Sequence, residues 1–77
     1  MTQYQYLCHE RPPVPGAIPK NGLAEVKDPP PDVSTITING TVYNFYGYAI
    51  YNRPLTDKEV SDYELLFVAT RHVYVPN

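Results

Sequence analysis

From Thr2 to Cys8 the chain alternates, with Tyr4, Tyr6 and Cys8 falling on one side and Gln3 and Gln5 on the other. A period of two predicts a half-buried strand. The alternation stops over residues 9–33, where Pro12-Pro13, Pro15-Gly16, Pro19, Asn21-Gly22 and Pro29-Pro30-Pro31 follow one another. Proline lacks the N–H that pairing needs and glycine relaxes the backbone, so this stretch predicts a loop or arm. Within it, residues 22–27 have the character of a short edge strand. A loop of this length in a compact unit is expected to wrap the sheet, move, or take part in binding.

Residues 34–51 carry the clearest local signal. Ser34 to Ile38, then Asn39-Gly40, then Thr41 to Tyr46 read as a hairpin, because Asn and Gly tolerate the positive φ angles of a two-residue turn. That turn sets Ile38 opposite Thr41 and Ile36 opposite Tyr43. Ile36, Ile38, Tyr43 and Phe45 then form the core side, with Thr35, Thr37, Val42, Asn44 and Tyr46 facing away. The second strand is expected to run on to Tyr51. Gly47 interrupts its alternation and suggests a bulge, which would put Tyr48 and Ile50 on the core side in place of Ala49 and Tyr51.

Beyond Asn52-Arg53-Pro54 the pattern changes to that of a helix start over residues 56–63. Thr56 can cap the Glu59 amide, Glu59 can reach back, and Leu55 can pack on Val60. Residues 64–75 return to strand character. Their apolar residues lie on both faces, which predicts a central strand. The expected fold is a single α+β domain over residues 1–77. It has a small, mostly antiparallel sheet of roughly three or four strands, one Asn-Gly hairpin, one short helix and a long proline-rich loop.

Composition sharpens this. Seven of the nine prolines lie in residues 12–31, so the sheet-forming remainder is short and its core modest. Cys8 is the sole cysteine, which rules out an internal disulfide and points to a reducing, cytoplasmic setting. The first six residues have neither a basic start nor an apolar run, so no secretory leader is expected there. No stretch reaches membrane-spanning length. A net charge of −2 with 18% charged residues argues against duplex nucleic acid, which demands a clustered basic surface.

Tyrosine is the outlier, with eight Tyr beside two Phe and no Trp. Tyr is enriched at interaction surfaces and also in strands. The leading expectation is a small non-enzymatic protein-binding accessory or inhibitor protein. Its binding surface is expected to comprise Tyr46, Tyr48, Tyr51, Arg53, Arg71 and Tyr74, together with the proline arm, whose Pro12 to Pro15 segment matches PxxP. The alternative is a single-stranded nucleic-acid binder that stacks bases on Tyr46 and Tyr48 beside Arg53 and Arg71. A third reading is catalysis by Cys8, His9 and His72.

The chemistry of that third reading is thin. Cys8 and His9 point to opposite sides of a strand, so His72 would have to complete the site in space. One cysteine and two histidines fall short of a structural zinc set. Asp57, Glu59, Asp62 and Glu64 read as helix capping and solubility, not as opposed catalytic carboxylates. The four glycines form no phosphate-binding loop. No cofactor is expected.

The stretch Gly47-Tyr48-Ala49-Ile50-Tyr51-Asn52-Arg53-Pro54-Leu55-Thr56-Asp57, continuing to Tyr63-Glu64-Leu65, resembles segments of small uncharacterised proteins of phages and mobile elements. The resemblance covers about a quarter of the chain, mostly a tyrosine-rich strand and a capping box. It implies a phage-encoded accessory protein that binds a host or rival macromolecule. Finally, residues 2–7 carry no charge to blunt an exposed edge. If they lay at one, they could pair with a second copy and give a homodimer.

Overall fold

The computed structural model describes residues 1–74. Its elements are β1 (Thr2–Cys8), β2 (Leu23–Lys27), β3 (Thr35–Ile38), β4 (Thr41–Asn44), β5 (Gly47–Tyr51), α1 (Asp57–Asp62) and β6 (Leu65–His72). The antiparallel α+β class expected from the sequence is the one observed. Four strands form the main sheet in the order β2-β5-β1-β6, and β3 and β4 form a separate hairpin. Because β5 and β6 both pair antiparallel to β1, they run parallel to each other with β1 between them, joined through α1.

The core sits on one face of this sheet. Tyr6, Cys8, Ala49, Tyr51 and Leu65 cluster there with Ile18 and Leu55. Val60 and Tyr63 pack on the same cluster, so α1 and its flanks cover this face. By strand alternation Leu7 and Ile50 belong to the opposite face, and both are fully buried. The base of the hairpin leans on that second face, where the Phe45 and Tyr48 rings lie 4.9 Å apart.

Helix α1 begins as its residues require. The Thr56 hydroxyl accepts from the Glu59 amide at 3.1 Å, and the Glu59 carboxylate accepts from the Thr56 amide at 3.0 Å. It ends after six residues because Glu64 adopts a left-handed φ of 53° and its amide turns back to the Ser61 carbonyl at 3.2 Å.

The structure departs from the sequence expectations at the hairpin's second strand, at Gly47, at the last strand and at β1. The hairpin keeps its expected register, with Ile36 opposite Tyr43 and Ile38 opposite Thr41, but β4 stops at Asn44. The Tyr46 amide then donates to the Cys8 carbonyl at 3.0 Å, and the chain crosses into the main sheet. Gly47 is therefore the point of entry to β5, not a bulge in a continuous strand. It has a φ of 138°, and a Cβ there would lie 2.7 Å from the Lys27 carbonyl oxygen, so only glycine fits. Consequently Ala49 and Tyr51, not Tyr48 and Ile50, join the main cluster.

Strand β6 is an edge, not a central strand, and starts at Leu65. The last residue of the expected strand, Val75, lies outside the described residues. Strand β1 is paired on both sides, with β5 and with β6. It has no free edge, so the homodimer through residues 2–7 is withdrawn. The true edges, β2 and β6, are each irregular: the register slips between Leu23 and Glu25 on β2, and opposite Gln5 and Tyr6 on β6. Bulges of this kind blunt an edge against flat strand-to-strand pairing.

Candidate functional site

The six residues expected to form a tyrosine and arginine surface do not share one. Tyr51 is wholly buried; its hydroxyl donates to the Pro19 carbonyl at 2.7 Å and its ring meets Tyr6 edge-on at 5.9 Å. Burial pushes its ionisation well above the ordinary phenol range. Tyr51 is thus a core residue, and its place in the expected surface is corrected. Tyr48 is half-buried against Phe45. Tyr46 and Tyr74 are exposed, at 39% and 87%, but they lie outside the strands, one before β5 and one after β6.

Both arginines are committed to other work. The Arg53 guanidinium grips the Glu59 carboxylate with two bonds of 2.8 and 2.7 Å, while its Nε donates to the Asn21 carbonyl at 2.9 Å. This ties the start of α1 to the turn before β2. The same pair, helped by the Thr56 amide, lowers the Glu59 carboxyl from its usual 4.5 to about 2. Arg71 donates through Nε to Gln3 at 3.0 Å and through Nη2 to Glu25 at 2.9 Å. Gln3 passes the chain on, its amide donating to Asn52 Oδ1 at 3.1 Å. A stacking platform with free cations beside Tyr46 and Tyr48 is therefore not assembled.

The reactive residues are kept apart as well. Cys8 is buried in the core, and desolvation raises its thiol to about 11, which suits a small apolar side chain. His9 turns away, 3.3 Å from the Glu10 carboxylate and edge-on to Tyr43. His72 pairs with Thr2 at the far end of β1, about 20 Å from Cys8 at the usual strand rise. No nucleophile–base pair can form between them. Among the described residues no group of three or more His, Cys, Asp or Glu is placed to hold a metal ion. No helix among them is long and apolar enough to cross a membrane.

What the fold does build lies in the first half of the proline arm. The Ala17 amide donates to the Val14 carbonyl at 2.9 Å, Pro15 and Ile18 bridge, and Ile18 and Pro19 bury against the sheet. The arm thereby lies beside edge strand β2. Between the two runs an apolar groove of about 230 Å³, lined by Pro13, Pro15, Ile18, Pro19, Lys20, Leu23 and Val26. Leu23 and Val26 remain 37% and 40% exposed at its rim. Proline density drew attention to the arm, but not to the groove. The missed signal was the apolar residues set among the prolines, namely Val14, Ile18, Leu23 and Val26. A stretch meant only for solvent would not carry them.

A second, more open apolar groove of about 360 Å³ lies between α1 and β6, where Tyr4, Tyr6, Leu55, Val60 and the half-exposed Phe67 meet. Asp57 at its rim is its one charged lining residue.

Fold and surface together define a small antiparallel α+β domain whose concavities are apolar and whose ionisable groups are mostly engaged with one another. A family model described as "Defence against restriction A C-terminal" matches residues 1–70, and the chain belongs to that family. It is also similar to the Defense against restriction protein A of Escherichia phage P1, with 39% identity over 62 residues. That match takes in 80% of this chain but only 9% of the relative's length. No solved structure matches the chain.

Proposed function

We propose that this chain is a phage-encoded accessory module that counters host restriction by binding a protein, without catalysing a reaction. The observation that carries this reading is the character of its concave surfaces. Both grooves are apolar and lie against edge strands, and neither brings opposed titratable groups together. Sites of that kind suit side chains of a protein partner better than bond-breaking chemistry. Membership of the Defence against restriction A C-terminal family supports the biological setting. The restriction machinery of the host, or a phage protein that meets it, is the class of partner this reading requires.

Of the residues first expected at the interface, Tyr46 and Tyr74 keep a place in the proposal as exposed rings. Tyr51, Arg53 and Arg71 serve it indirectly, by holding the arm, the helix start and the sheet in place. The test is biological. The chain is expressed in a restricting bacterial host, and unmodified phage is plated on it. Plating should rise above the level on cells lacking the chain and match a non-restricting host more closely. Unchanged plating, with the folded protein present, would defeat the anti-restriction reading.

A further inference from the structure

Resting on that protein-binding reading, we propose that the groove beside β2 is a docking site for an extended acidic–apolar segment of a protein partner, laid along the β2 edge. Three observations lead there. First, β2 is an edge strand with all five residues exposed, and past Leu23, whose amide donates to the Lys20 carbonyl at 3.2 Å, its outer backbone side faces no neighbouring strand and can pair with an added one. The register slip lies at its start, and from Glu25 through Lys27 the pairing with β5 is regular.

Second, the groove opens on the face of β2 that carries Val26, which stands opposite Ala49 of the core cluster. In an extended ligand alternate side chains point to the two faces of the sheet. Those on the groove side meet Val26, Leu23, Ile18 and the arm prolines, and must be apolar.

Third, charge selects the other positions. Arg11, Arg53, Lys58 and Arg71 are each held by a carboxylate of the chain itself. Lys20 and Lys27 have no ion pair among the described residues. Lys20 lines the groove, and Lys27 points to the opposite face, like Glu25. Glu25, on the same face, is bound to Arg71 and makes no ion pair with Lys27. A ligand with carboxylates on its outward-alternating side chains would meet Lys27, and one at the groove end would meet Lys20. The register slip serves selectivity, since it admits a short segment and refuses a long flat strand.

The probe is a fluorescein-labelled octapeptide that alternates glutamate with leucine and phenylalanine, beside a control carrying glutamine for each glutamate. Fluorescence anisotropy should show the acidic peptide binding about tenfold tighter than the control, with affinity falling as salt rises. Val26→Asp, at an exposed position, should abolish binding while the circular-dichroism spectrum stays that of the unmodified protein. Lys20→Glu and Lys27→Glu should each weaken it several-fold. Amide chemical shifts should move along β2 and residues 13–20. The proposal is overturned by no binding, by equal binding of both peptides, or by shifts confined to the α1–β6 groove. If the peptide binds and plating does not change, the groove stands and the anti-restriction reading falls. If plating rises and the peptide fails, the reverse holds.

Discussion

Arg71 and Glu25 sit on opposite edge strands of the main sheet, and their side chains meet at 2.9 Å. Three strand spacings separate those edges, about 14 Å, so both side chains stretch over β1 and β5 to make the contact. On the way Arg71 also supplies the hydrogen bond to Gln3, a residue only 9% exposed.

The two contacts should differ in weight. The Arg71–Glu25 pair is partly solvated, so Glu25→Gln should cost about 0.5 kcal/mol or less and lose its effect in high salt. Arg71→Met retains the aliphatic stem but strips the buried Gln3 carbonyl of its donor. It should cost about 1–2 kcal/mol more than Glu25→Gln, and that excess, unlike the share due to the lost Glu25 pair, should persist in high salt. Urea unfolding of the two variants at low and high salt separates them; equal costs would contradict the assignment.

Tyr51→Phe keeps the ring and removes only the hydroxyl that caps the Pro19 carbonyl. Leaving a buried acceptor without its donor should cost about 1–2 kcal/mol in urea unfolding. The loss should be local to the arm, visible as faster amide exchange at Ala17 and Leu23. Uniform loosening of all strands would place the bond elsewhere in the energetics.

Acid stability should depend on Glu59. Its folded-state carboxyl titrates at about 2, held down by Arg53 and the Thr56 amide, against 4.5 when free. A depressed carboxyl contributes stability that is whole above the free value and disappears as pH falls through the folded one. The melting temperature should therefore drop between about pH 4.5 and pH 2, and Glu59→Gln should flatten that slope. A wild-type slope unchanged in the variant would assign the acid sensitivity to other carboxylates.

Cys8 should resist thiol reagents in the folded protein. Its thiol is raised to about 11 by burial, so at pH 8 little thiolate exists and none is accessible. Ellman's reagent should react only at the rate of unfolding, and quickly in urea. The raised value also sets an alkaline trend: stability is full below the usual 9.0 and is lost as pH climbs through 11. Rapid labelling of the native protein at pH 8 would refute the buried assignment.

Local patterns were legible in the sequence wherever the chain dictates its own geometry. Asn39-Gly40 fixed the hairpin register, and the Thr56–Glu59 spacing fixed the helix start, because both depend on neighbours a few residues apart. Strand partners were not legible. Nothing local to Gly47 says that β5 leaves β4 to pair with β1 and β2; the glycine is required by the Lys27 carbonyl, which only the folded sheet brings against it. The candidate surface failed for a related reason. Tyr51 and Tyr46 look alike in the chain, yet one caps Pro19 in the core and the other faces solvent. Arg53 and Arg71 read as free cations until the fold brings Glu59 and Glu25 to them. The α1–β6 groove was invisible because its lining comes from β1, the α1 region and β6.

The hairpin has one further consequence, which follows from where its two ends meet the sheet. The chain leaves at Lys27 and comes back at Gly47, and Lys27 stands directly opposite Tyr48 in the β2–β5 ladder. Everything between is a detour inserted at a point where a tight reverse turn would close the path. Its ties to the sheet are few: the Tyr46 amide on Cys8, the Phe45 ring on Tyr48, and the Tyr43 ring on His9. Residues 28–46 are thus an insertion that contributes no strand to the four-stranded sheet. A different loop at this position would leave the pairing of the four-stranded sheet as it is.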